Sequence, residues 1–315
     1  MKATQFPHIS ENETYLDYTG ANIFQHKQLV NVMKSLEKNL KCNTHSESGC
    51  SKRTEKAIDE VRERILKFFN APNGTYSVIF TQSATAALHL IGDAFPWSNQ
   101  SEYLYAKHNH NSVLGIRELA KAHGAHYSTL EWNIHDKEIV NQRHLSAREL
   151  MNKYIDMPID DSVVHHLVAF PGECNFSGVK YPLELIEAFE ANNYGQEHYN
   201  SNGQWHTLLD AAAFVPTNPL DLNATPASFV TMSFYKMFGF PTGIGALLVR
   251  NDVAMLMRKN WFSGGSVVDV SCESDFCQFK PKYNEKFEDG TLDFLSIDQL
   301  RYGFDVLEEL GMDNI

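Results

Sequence analysis

Lys236 lies in "SFYKMFGFPTGIGALLVR", residues 233–250, a run that is otherwise apolar and rich in glycine. An ammonium pressed into a core is costly unless it is paired or neutralised. Either this side chain reaches solvent at a loop, or its amine has chemistry to do. Burial favours the neutral amine, which is a nucleophile towards carbonyls. Asp210 closes the apolar run "WHTLLD" and is followed by "AAAF". A carboxylate there serves as a cap or ion-pair partner, or it holds a proton on a ring nitrogen. His108 follows "EYLYA" in the polar turn "KHNHN". It is either a solvated loop imidazole or a planar ring able to stack on a flat ligand. "TQSATAAL" places Thr81, Ser83 and Thr85 at a strand-to-helix turn of small residues. That is either a plain N-cap by Ser83 or an anion site of unpaired amides and hydroxyls.

One cofactor, pyridoxal phosphate, needs all four features together. Its phosphate requires amides and hydroxyls, its pyridine nitrogen a carboxylate, its ring a flat neighbour and its aldehyde an amine. On this reading Lys236 is stored as a neutral Schiff base instead of a bare cation. Asp210 precedes it by 26 residues (236 − 210), room for one loop and one strand. Other sites are disfavoured. The glycines of "GFPTGIGALLV" precede a strand-like run, whereas a dinucleotide fingerprint follows a strand and opens a helix. No P-loop pattern is present. Cys272 and Cys277 lack the spacing of zinc-ligand pairs. His165 and His166 are neighbours on a predicted strand and point to opposite faces. No metal site is expected.

The elements that must position these groups follow from periodicity. Residues 25–40 and 54–70 carry apolar side chains at helical spacing with charges between them. Strands are expected at "YSVIF", "EYLYA", "HYSTLEW", "SVVHHLVAF" and "HTLLD". Helices are expected at "ATAALHLIGDAF", "NSVLGIRELAKAHG" and "PLELIEAFEANN". "SFVTMSF" and "GALLVR" follow as antiparallel neighbours joined by a glycine-rich turn. This order predicts an α/β fold, a mostly parallel sheet with helices on both faces, with ligands at the carboxyl ends of the strands. Five polar clusters therefore fall on one sheet edge. The last helix, within "LSIDQLRYGFDVLEELGMDNI", is expected to lack a partner domain to pack on.

The 315 residues allow one large α/β domain with part of another, or two ordinary domains. A net charge of −12 argues against nucleic acid or an anionic membrane surface as partner. No run approaches a membrane span, and no signal peptide is recognisable. The five cysteines, an odd number and widely spread, are expected to be reduced thiols in the cytosol.

"YLDYTGA", "FTQSATAALHLIGDAFPW", "SFYKMFGFPTGIGALLVR" and "KFEDGTLDFLSI" resemble blocks of the class V aminotransferase fold of pyridoxal-phosphate enzymes. More narrowly, they resemble the cysteine-desulfurase-like domain of eukaryotic molybdenum cofactor sulfurases. The resemblance implies Lys236 as the Schiff-base lysine, Asp210 as the pyridine-nitrogen partner and His108 as the ring-stacking residue. Asn175 in "CNFSG" would lie near the ring hydroxyl, and Ser83, Ala84, Thr85 and Ser233 would contact the phosphate. Thr291 in the "GT" block would reach the phosphate of a neighbouring subunit, which implies a homodimer; the cytoplasm is the expected location from the scattered cysteines. Residues 1–25 would form an N-terminal arm and 26–262 the cofactor-binding large domain. Residues 263–315 would hold a dimer-interface loop and the start of a truncated C-terminal small domain. The implied activity takes sulfur from L-cysteine and delivers it to the molybdenum cofactor, through a C-terminal domain absent here, to activate xanthine dehydrogenase and aldehyde oxidase. None of the five cysteines matches the family's persulfide cysteine, and Lys286 stands where an arginine is usual. Two alternatives remain: a catalytically incomplete cofactor-binding chain or dimer partner, and another class V cysteine or selenocysteine lyase.

Overall fold

The computed structural model describes residues 2–130, 163–191 and 203–315. In chain order the helices are α1 (Lys2–Gln5), α2 (His26–Lys38), α3 (Gly49–Phe68), α4 (Ala84–Ala94), α5 (Asn111–Ala122), α6 (Glu184–Glu190), α7 (Phe234–Phe238), α8 (Asn251–Ala254), α9 (Tyr283–Phe287) and α10 (Phe294–Leu310). The strands are β1 (Tyr76–Thr81), β2 (Glu102–Ala106), β3 (His126–Leu130), β4 (His165–Pro171), β5 (Gln204–Asp210), β6 (Phe229–Ser233) and β7 (Gly245–Arg250), with a separate pair β8 (Val267–Val270) and β9 (Cys277–Phe279). The ends of "HYSTLEW" and "PLELIEAFEANN" and the start of "SVVHHLVAF" lie outside the described residues.

The main sheet has the order β1-β7-β6-β5-β4-β2-β3. β7 runs antiparallel to both its neighbours, and the remaining pairs are parallel. Alternation along each strand splits the core into two layers. On one face Val78, Phe80, Val168, Val230 and Leu248 pack with Ile58, Val61 and Ile65 of α3 and Leu185 and Phe189 of α6. On the other, Ile79, Leu167, Phe229 and Leu247 pack with Leu88 and Ile91 of α4 and Val113 and Ile116 of α5. The expected α/β sheet with helices on both faces is the one observed.

Two local expectations are corrected. Lys236 does not sit in a glycine turn directly after β6. The helical turn α7 intervenes and ends at Gly239, whose φ of +80° favours glycine. α10 packs on the large domain itself: Ile297, Leu300 and Phe304 join the α3-side core, and Phe304 meets Phe234 and Phe238 edge-on. Cys42 and Cys50 are joined by a disulfide. The chain turns back before α3 and brings their Cα atoms within 5.7 Å, a proximity that counting cysteines does not reveal. Cys174, Cys272 and Cys277 are free thiols. Among the described residues, no helix is long and apolar enough to cross a membrane.

A buried ion network ties the sheet together at the edge far from the cleft described below. Arg250, fully buried at the end of β7, pairs with Glu190 (2.9 Å) and Asp252 (2.8 Å). Glu190 also accepts from the Thr207 amide and hydroxyl and from Ser228. Each charge is multiply bonded, the condition under which burial of an ion pair is tolerated.

Candidate active site

The register Thr81↔Gly245, Ser233↔Gly245, Asp210↔Thr231 and Pro171↔Asp210 puts the carboxyl ends of β1, β6, β5 and β4 on one edge of the sheet. A cleft of about 570 Å³, including the solvent at its mouth, opens there. Lys236 enters it from α7, Asp210 from the end of β5 and Asn175 from the loop after β4. Ser83, Ala84 and Thr85 line it from the start of α4, and Ser233 from the end of β6.

The start of α4 is held rigidly. The Ser83 hydroxyl accepts from the Ala86 amide (3.2 Å), and the Thr81 hydroxyl donates to the Ser83 carbonyl (2.8 Å). The buried Ala84 amide donates to the Ser233 hydroxyl at 2.9 Å, joining helix and β6. Ser83 is therefore both the ordinary N-cap and a wall of the cleft. Gly245 makes this approach possible. A Cβ at that position would lie 2.5 Å from the Ser83 carbonyl carbon and 2.8 Å from the Ala84 amide, so only glycine lets β7 run beneath the helix start.

Asp210 is buried, and its carboxylate accepts from the Ala212 amide at 3.1 Å. Burial pushes its pKa up, and the Ala212 amide, His110 and Lys236 oppose that shift. Its ionised form therefore gains from a further cationic or N–H partner in the cleft.

The structure seats His110, not His108, on the cleft wall. His108 points instead to the Tyr181 hydroxyl, with Nδ1 at 3.2 Å. His110 is the N-cap residue of α5, and its Nδ1 accepts from the Ser112 amide at 3.2 Å. Proximity to the strand end favoured His108 in the sequence. The readable signal for His110 was its place immediately before the helical run "NSVLGIRELAKAHG", where a side chain must turn back over the helix start. Glu173 and Tyr235 also line the cleft, each within one of the polar clusters that the sequence places at the strand ends. Thr291 lies apart from it, exposed, with its hydroxyl 3.4 Å from Asn43 Nδ2. Lys286 also lies elsewhere, over the Phe287 ring with its ammonium 3.4 Å from the Met257 carbonyl. Burial, with Lys259 nearby, lowers its pKa. His165 faces His206 (3.0 Å) while His166 stacks on Trp205, the opposite-face arrangement expected of strand neighbours.

The sheet order and the cleft at its carboxyl edge define an α/β protein with the fold of the cysteine desulfurases. The structure of the cysteine desulfurase CsdA from Escherichia coli superposes with a TM-score of 0.73 over 98% of this chain and 71% of that one, at 18% identity. A C-DES variant with glycine covalently linked to its PLP cofactor superposes with a TM-score of 0.72, over 99% and 74% of the two chains, at 17% identity. Residues 14–315 match the aminotransferase class-V family, and the chain belongs to that family. It is 40% identical over its whole length to a molybdenum cofactor sulfurase from Solanum lycopersicum, of whose length it spans 40%.

Proposed function

We propose that the chain is a pyridoxal-phosphate-binding unit of the cysteine desulfurase type, and that its role is to mobilise sulfur for the molybdenum cofactor. The observation that carries this reading is one cleft holding Lys236, the buried Asp210 and the hydroxyl-rich start of α4. The donor set fits the cofactor: a buried carboxylate whose pKa desolvation raises suits a pyridinium N–H partner, and a helix start with hydroxyls suits a phosphate. When bound, pyridoxal phosphate supplies an aldehyde and an electron-withdrawing ring. Lys236 is the amine that would hold the aldehyde. Asp210 would keep the proton on the ring nitrogen. Ser83, Ala84, Thr85 and Ser233 would hold the phosphate, Asn175 would sit near the ring hydroxyl, and His110, in place of His108, would cover the ring.

L-Cysteine is the proposed substrate. The class V family membership and the 40% identical sulfurase support it. Delivery of sulfur to the molybdenum cofactor, the cytoplasmic location and a homodimer in which Thr291 reaches the partner's cleft belong to the same proposal.

The test is a visible absorbance titration of the purified chain, loaded with pyridoxal phosphate, with L-cysteine, followed by an alanine assay. A shifted band with alanine accumulating over many turnovers establishes desulfuration. A shifted band without alanine means that the cofactor site is competent and sulfur removal needs more than this chain. No band, or a band unchanged by Lys236→Ala, sinks the assignment.

A further inference from the structure

Two helices start on the cleft, and one serine joins them. α4 begins at Ser83–Thr85 and α5 at His110. The two helices pack closely because Gly92 of α4 faces Leu119 of α5, where an added Cβ would lie 2.6 Å from Leu119 Cδ1. At their starts the Thr85 and Ser112 hydroxyls are hydrogen-bonded at 2.9 Å. The Ser112 amide, in turn, donates to His110 Nδ1 at 3.2 Å.

That second bond has a chemical consequence. A ring nitrogen that accepts from an N–H must carry a lone pair, so a neutral imidazole held this way has its proton on Nε2. The other tautomer would set two N–H groups against each other at the helix start. Nε2–H is then the ring group left to a bound ligand, and it meets that ligand as a donor.

We propose that Ser112 is a positioning residue for the cleft: its amide fixes His110 as the Nε2–H tautomer, and its hydroxyl locks the helix carrying that ring to Thr85 in the anion-binding wall. The inference rests on the functional reading above for the identity of the ligand. It does not rest on it for the tautomer, which is a property of the chain alone.

The experiment has two readouts. In the cofactor-free chain, nitrogen NMR shifts of the His110 ring, identified by their loss in His110→Asn, report which nitrogen carries the proton. The expected result is the Nε2–H form in the parent and in Ser112→Ala, and a mixture of tautomers in Ser112→Pro, which lacks the amide proton. Separately, the dissociation constant of pyridoxal phosphate is read by visible absorbance. Ser112→Ala should weaken binding roughly two- to tenfold, the value of one hydrogen bond, and Ser112→Thr should restore it. Where Ser112→Pro disturbs folding, the parent tautomer and the alanine and threonine variants decide. A parent ring in the Nδ1–H form overturns the inference, as does Ser112→Ala binding equal to the parent. A parent that binds no pyridoxal phosphate overturns the functional reading instead, and with it the role of the Ser112 hydroxyl.

Discussion

Asp210 and His110 show how position sets the chemistry of a single residue. Asp210 has a raised pKa because burial penalises its carboxylate more than Ala212, His110 and Lys236 relieve it. The folded chain therefore holds this proton to higher pH than the unfolded chain does. Stability falls as pH rises from the unfolded value through the raised folded value, and above both the full cost is present. Asp210→Asn removes that cost. The cofactor-free variant should melt higher than the parent near neutral pH, with the two converging below about pH 4, the unperturbed carboxylate range. Thermal denaturation at several pH values measures the gap, and a variant less stable at neutral pH would contradict it. The two histidines give a sharper contrast. His110→Ala should weaken pyridoxal phosphate binding roughly two- to tenfold, the worth of one aromatic stacking contact. His108→Ala should leave binding unchanged, because that ring is turned to Tyr181. Equal losses in the two variants would return the stacking role to an open question.

At the scale of elements, the cleft depends on β7 reaching the edge of the sheet beneath α4. Gly245 is where they meet, and a methyl group there would press on the backbone of Ser83 and Ala84 and on the Met232 carbonyl. Backbone cannot rotate aside as a side chain can. Gly245→Ala should cost about 1–3 kcal/mol in urea unfolding, the range of overpacked sites. It should also weaken cofactor binding, because the Ala84–Ser233 bond lies at the same place. Loss of stability with unchanged binding would separate the strand approach from the anion wall.

At the scale of the whole molecule, a buried polar layer at the opposite sheet edge governs resistance to acid. His165 and His206 share a hydrogen bond and are buried. Burial, with His166 and Arg258 nearby, lowers the His165 pKa to about 4, and burial also lowers that of His206. The unfolded chain binds protons on these rings from about pH 6.5 downwards, whereas the folded chain resists them. Stability should therefore fall as pH drops from about 6.5 towards 4, by up to about 1.4 kcal/mol per pH unit for each ring. His165→Gln should flatten that decline in urea midpoints. An equally steep decline in the variant would place the acid sensitivity in other groups.

Much of this protein is legible in its sequence because much of it is local. Short apolar runs such as "HHLVAF" and "GALLVR" and helical spacing in "TEKAIDEVRERIL" set the elements. The order of those elements fixed a parallel sheet, and the sheet rule placed Lys236, Asp210 and Ser83 on one edge before any contact was visible. The structure showed which of two histidines, two residues apart, faces the cleft, a choice that the start of α5 signals locally. A single turn of backbone separates them, and the capping bond to Ser112 selects one. Tertiary contact brought α10 onto α3 and Gly245 under the start of α4. Those pairings depend on chain segments up to hundreds of residues apart packing at van der Waals distance, which no local pattern records.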